Sequence, residues 1–153
     1  MLKQRVITAL ILAPVVLCGV FLLPVTGFAI FFALVTLIGA WEWGLLSGFK
    51  KTSHRFVFSF VVLAAIGLSG WLYEKGYDYF VLLPAVVVWL VSFLWIGRYP
   101  AEGLWEKPVV RAACGVLILS AAWLSMVELK ALEFGNAWIL LILLIVWAAD
   151  IGA

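Results

Sequence analysis

Two carboxylates stand where the surrounding chain is almost wholly apolar. Glu42 sits between two tryptophans in Trp41-Glu42-Trp43, directly after a run from Val6 to Trp41 that carries no charge. Asp150 follows the uncharged stretch Phe134 to Ala149, in the segment Trp147-Ala148-Ala149-Asp150-Ile151-Gly152-Ala153. An acid on a helix in lipid costs a few kcal/mol unless it is paired, hydrated or bound to a cation. Such an acid is suited to holding a divalent cation or orienting a polar head group. The two positions differ in their surroundings. Glu42 lies just ahead of Gly44 and the basic stretch Lys50, Lys51 and Arg55, so it can also be an interfacial acid that reaches the head groups and pairs with Lys50 or Lys51. After Asp150 the apolar pattern continues through Ile151, Gly152 and Ala153, so a functional role weighs more there than a protonated or water-exposed helix end.

Other chemistry is sparse. His54 has no Ser, Cys or acid at a catalytic spacing and reads as a solvated loop histidine. Cys18 and Cys114 both fall inside apolar runs, which argues for small apolar residues rather than a disulfide or metal ligands. No Gly-rich phosphate loop and no paired metal-ligand motif is present. A chain of this kind that handles phosphates needs a cation. Mg²⁺ prefers oxygen ligands, commonly one or two carboxylates plus the substrate's phosphates, so one aspartate is not a complete site.

The elements that carry these residues follow from composition. Hydrophobic residues make up 67% of the 153 and charged residues 12%, too little polar surface for a soluble domain of this size. A net charge of +2 is too small to argue for a nucleic-acid partner. Crossing the hydrocarbon core, about 30 Å thick, takes roughly 20 apolar residues. Uncharged runs therefore predict six spans near 6–23, 26–46, 56–73, 79–97, 110–127 and 134–153. Pro24, Thr26 and Gly27 supply the turn between the first two. In lipid each segment must satisfy its own backbone, and the runs are continuous rather than alternating, so helices are expected and a β-barrel is disfavoured. The expected architecture is an all-α polytopic membrane bundle in a single domain. Lys3 and Arg5 ahead of the first run could mark a signal peptide, but no small-residue cleavage site follows, so a retained span is expected.

Charge placement orients the bundle. With the N-terminus in the cytoplasm, the inner segments hold Lys3, Arg5, Lys50, Lys51, Arg55, Arg98, Lys107 and Arg111. The outer segments hold Lys75 and Lys130 beside Glu74, Asp78, Glu128 and Glu133, which follows the positive-inside rule. Trp41, Trp43, Trp71, Trp95 and Trp138 fall near span ends, as an interfacial belt requires. The longest connection, Arg98 to Arg111, reads as an interfacial loop, with contact to substrate the alternative, and Gly44 with Gly48 as a small-residue pair that admits a neighbouring helix. At about 1.5 Å per residue, Glu42 lies about 26 Å into its span from the outer face and Asp150 about 20–27 Å into its own. Both acids then sit near the cytoplasmic edge, where a water-soluble reactant can meet a lipid head group.

The opening Met1-Leu2-Lys3-Gln4-Arg5-Val6-Ile7-Thr8-Ala9-Leu10-Ile11-Leu12-Ala13-Pro14, the Trp41-Glu42-Trp43 triplet and the segment 147–153 together resemble bacterial phosphatidate cytidylyltransferases, also called CDP-diacylglycerol synthases. The resemblance covers essentially the whole chain. It implies an enzyme of phospholipid synthesis that joins CTP to phosphatidic acid, giving CDP-diacylglycerol and pyrophosphate. It further implies dependence on Mg²⁺, a multi-pass location in the inner membrane and a homodimer. Asp150 would correspond to the family's aspartate at the start of its polar active-site region and be a candidate Mg²⁺ ligand and catalytic residue, with Glu42 a further candidate. Ile151 stands where that family usually has threonine. The family's Ser-Pro-Gly-Lys-Thr-like phosphate-handling stretch and its later metal-binding signature do not occur here. The chain is therefore expected to be the N-terminal half of such an enzyme, inactive alone.

Two other readings stay open at the level of sequence. One is a non-enzymatic multi-span protein that assembles with others or conducts a solute. The other is a different lipid-linked phosphotransferase, such as a dolichol-kinase-like enzyme.

Overall fold

A computed structural model describes residues 2–97 and 103–152. In chain order the helices are α1 (Leu2–Leu22), α2 (Val25–Leu46), α3 (Thr52–Glu74), α4 (Tyr79–Ile96), a 3₁₀ turn at Leu104–Glu106, α5 (Pro108–Ala131) and α6 (Gly135–Gly152). No strand occurs among the described residues, and the fold is an all-α polytopic membrane bundle. Helices α2 to α5 are long and apolar enough to cross a membrane. Among the residues whose side chains are described, α1 and α6 are apolar as well, over Ile11–Leu22 and Gly135–Asp150.

Helix ends follow from local chemistry. After α2, the Phe49 N–H bonds the Gly44 carbonyl at 3.0 Å and the Gly48 N–H bonds the Leu45 carbonyl at 2.9 Å. The same pair of bonds closes α3: Tyr77 to Leu72 at 2.9 Å and Gly76 to Tyr73 at 3.0 Å. Both are glycine-terminated helix ends, and the glycines adopt φ +91° and +74°, a region that a side chain disfavours. Gly48 thus ends the helix instead of pairing with Gly44 on one helical face, which corrects the expectation for that pair. Pro14 and Pro84 lie inside α1 and α4, where each removes one backbone hydrogen bond.

The chain forms two compact units: Met1–Phe31 with Met126–Ala153, and Phe32–Ser125. In the first, Val20, Phe28, Val127 and Ile139 are buried, as is Lys130. In the second, the core contains Ala40, Phe58, Val62, Ile66, Ala85, Trp123 and Leu124. Gly70 of α3 faces the Trp123 ring, where a Cβ would lie in van der Waals contact at 3.4 Å from Cη2. Three buried hydroxyls turn inward on their own helices: Thr36 donates to the Phe32 carbonyl at 2.8 Å, Ser69 to Ala65 at 2.8 Å and Ser120 to Val116 at 2.7 Å. Large apolar side chains cover the outside; Phe60 is 71% exposed and Phe93 75%. In water that surface would drive aggregation, whereas in a bilayer it is solvated.

Three placements differ from expectation. His54 lies in the first turn of α3 rather than in a loop, and Lys130 lies in the last turn of α5 rather than in a connection. The 98–111 connection carries the 3₁₀ turn and the start of α5. Its residues 98–102, including the basic Arg98, lie outside the described residues, as do Ala153 and the side chains of Lys3 and Arg5.

Candidate functional site

The Trp-Glu-Trp triplet occupies the last two turns of α2, and α3 begins a few residues later with Arg55 in its first turn. Arg55 folds back onto the triplet. Its Nε donates to the Trp41 carbonyl at 3.0 Å, its guanidinium carbon lies 4.0 Å from the Trp41 ring centroid, and its Nη2 lies 3.6 Å from Glu42 Oε1. The Arg55 side chain is 16% exposed and that of Glu42 66%. Gly44 makes this possible, because a Cβ there would come within 3.3 Å of the arginine's Cγ. Glu42 therefore pairs with Arg55, not with Lys50 or Lys51. Helix geometry favours it, since Arg55 is fixed on α3 while the two lysines stand exposed in the turn.

The second tryptophan of the triplet reaches α5. Trp43 Nε1 donates to the Arg111 carbonyl at 2.9 Å, and its indole fills the space over Gly115, which has no room for a Cβ. The Arg111 side chain completes the tie: Nη1 donates to the Leu46 carbonyl at 3.0 Å and Nη2 to the Glu106 carbonyl at 2.9 Å. A cation at the α2 C-terminus also complements the negative end of the helix dipole. At this end of the second unit lie Lys50, Lys51, Arg55, Lys107 and Arg111 against Glu42 and Glu106. Two of the cations are committed to backbone carbonyls, while Lys50, Lys51 and Lys107 are exposed. The surface is positive and sits at helix ends, which suits contact with phosphates at a membrane surface.

In the first unit, Lys130 is 8% exposed. Its Nζ donates to the Val20 carbonyl on α1 and to Asn136 Oδ1 on α6, and stands 5.5 Å from the Phe28 ring centroid. One side chain thus ties α1, α5 and α6 together. Gly135 allows the tight turn, since a Cβ there would strike the Leu129 and Lys130 carbonyls. An open cavity of about 410 Å³ adjoins Lys130; Phe21, Val25, Phe134, Glu133 and Asn136 also line it.

Asp150 lies in the last turns of α6, exposed, and Glu42 in the other unit. The Asp150 side chain makes no hydrogen bond or ion pair among the described residues, and no group of three His, Cys, Asp or Glu there is arranged to hold a metal. His54 is exposed, with its ring 6.3 Å edge-on from Phe49. Both cysteines are free thiols, Cys18 exposed and Cys114 partly covered. Sequence reasoning missed Arg55, Arg111 and Lys130 as organising residues. Their acceptors are mostly backbone carbonyls, which carry no signature in side-chain identity. A lysine at the edge of an apolar run was the one available signal.

A family model for the cytidylyltransferase family matches residues 3–153. Two curated proteins, each called phosphatidate cytidylyltransferase, align along the chain. That of Pseudomonas aeruginosa PAO1 is 38% identical over 154 aligned residues, covering 100% of this chain and 56% of its own length. That of Haemophilus influenzae Rd is 31% identical over 172 residues, covering 100% of this chain and 59% of its own length. The chain therefore spans about half the length of the curated relatives it matches. No solved structure matches it.

Proposed function

Because the chain belongs to the cytidylyltransferase family, we propose that it forms the membrane-embedded N-terminal half of a phosphatidate cytidylyltransferase. The observation that carries this is the 38% identity over the whole chain with a protein of that name. In the proposed reaction a phosphatidate oxygen attacks the α-phosphorus of CTP. The new P–O bond forms as the bond to the α,β-bridging oxygen breaks; pyrophosphate leaves and CDP-diacylglycerol remains.

This chain's contribution is positioning and charge. Lys50, Lys51 and Lys107 draw anionic nucleotide and lipid phosphates to one membrane face. Arg55 and Arg111 hold α2, α3 and α5 in register beneath that face. With the basic ends inward, the face is cytoplasmic and the membrane is the inner one, with the enzyme multi-pass and acting as a homodimer. No nucleic acid is a partner.

Asp150 is proposed as the catalytic-region acid of this half and as one ligand of a Mg²⁺ ion, which when bound would neutralise the substrate phosphates. Its hard oxygen suits Mg²⁺, but a single exposed carboxylate is not a complete set. The remaining ligands would come from the half that the relatives possess and this chain does not span. No step is derived through the ion. Glu42 is assigned to holding Arg55.

The test is a chimera in which residues 1–153 replace the matching stretch of the P. aeruginosa relative. Membranes carrying it should form CDP-diacylglycerol from CTP and phosphatidic acid, and the 153 residues alone should form none. A chimera that is inserted and stable yet inactive would refute the function. Robust product from the 153 residues alone would refute the division of labour. Product from another lipid acceptor instead would point to a different lipid phosphotransferase.

A further inference from the structure

We propose that the cavity beside Lys130 binds the head group of a zwitterionic phospholipid, with the lipid phosphate on Lys130 and its primary ammonium on Glu133. The proposal stands apart from the catalytic reading. Lys130 and Glu133 border the same cavity, yet neither forms an ion pair among the described residues. A buried cation held by neutral acceptors alone is costly, and opposite charges that face one space without meeting leave room for a ligand carrying both signs in reverse. An ammonium has three N–H donors, and here two are taken, by the Val20 carbonyl and Asn136. One remains for a phosphate oxygen.

The position fits. The cavity lies where α1 ends, α2 begins, α5 ends and α6 begins, and the ends of membrane helices stand at head-group level. The first turn of α6, Gly135 to Ala137, borders it, and the positive end of that helix favours phosphate. Phe21, Val25 and Phe134 offer apolar walls to the glycerol and the first acyl carbons. A volume of about 410 Å³ falls within the range of about 300–1,000 Å³ usual for small-molecule sites. A purely anionic head group would meet Glu133 without compensation, and a quaternary amine could not donate a hydrogen bond to it.

The experiment uses the intact protein in nanodiscs of phosphatidylcholine doped with equal phosphatidylethanolamine and phosphatidylglycerol, with bound lipid read by native mass spectrometry. Wild type should retain phosphatidylethanolamine over both competitors by about tenfold or more, the worth of one charge-assisted hydrogen bond. Glu133→Gln should erase the preference over phosphatidylcholine, and Lys130→Met should erase retention altogether. Glu133 is exposed, so its variant decides the matter even if Lys130→Met fails to insert. Equal retention of the three lipids by wild type, or an unchanged preference in Glu133→Gln, overturns the proposal. So does binding of inorganic phosphate that phosphatidylethanolamine does not displace.

Discussion

The indole Nε1 of Trp43 donates to the backbone carbonyl of Arg111 at 2.9 Å, joining the end of α2 to the start of α5. Gly115 stands beneath that indole, and a Cβ there would overlap it. Trp43→Phe should cost about 1–2 kcal/mol, since a part-buried hydrogen bond between the two helices is lost and the indole N–H is removed. Gly115→Ala should cost at least as much, because the rigid ring cannot yield as a flexible chain would. Thermal unfolding in detergent measures both; a neutral Gly115→Ala would contradict the packing.

The Glu42–Arg55 pair should prove lopsided. Glu42→Gln removes a mostly exposed partner at 3.6 Å and should change stability by about 0–1 kcal/mol. Arg55→Ala removes a carbonyl bond, the guanidinium over Trp41 and the stem against Gly44, so a loss of about 2 kcal/mol is expected. A double-mutant cycle should return a coupling below about 1 kcal/mol.

Gly48 and Gly76 should each resist replacement. Their φ values of +91° and +74° strain any L side chain, so alanine at either should cost about 1 kcal/mol. Gly67 has open space around it and lies inside α3, where alanine should be neutral or mildly stabilising. Unfolding midpoints of the three variants decide this.

Asp150→Asn, made in the chimera of relative length, should lower the turnover number by about a hundredfold or more while leaving the unfolding midpoint unchanged. Asp150 is exposed and has no partner among the described residues, so stability has little to lose. A variant of full activity would remove Asp150 from the site.

Membrane sidedness can be read with single cysteines in a background lacking Cys18 and Cys114. Lys50→Cys and Lys107→Cys should label from the cytoplasmic side and Lys75→Cys from the opposite side. Labelling of Lys50→Cys and Lys75→Cys from one side would break the topology.

Much of this protein is written in composition. Uninterrupted apolar runs located the six α-helices of the described residues to within a few residues, because lipid forces each segment to satisfy its own backbone. That Gly48 ends α2 rather than packing beside Gly44 was not legible, because its positive φ belongs to the folded backbone. Asp150 was legible as an acid out of place, and the family resemblance could be seen in short segments that carry it. Sequence did not show which cation Glu42 meets, that Arg111 ties two helix ends and the 3₁₀ turn, or that Lys130 is buried with α1 and α6. Those relations join residues up to 110 positions apart, and several end on carbonyl oxygens that every residue has. A bilayer dictates where segments must be helical from their side chains alone, whereas which carbonyl a given arginine or lysine reaches depends on how the helices pack, and only the tertiary structure decides that.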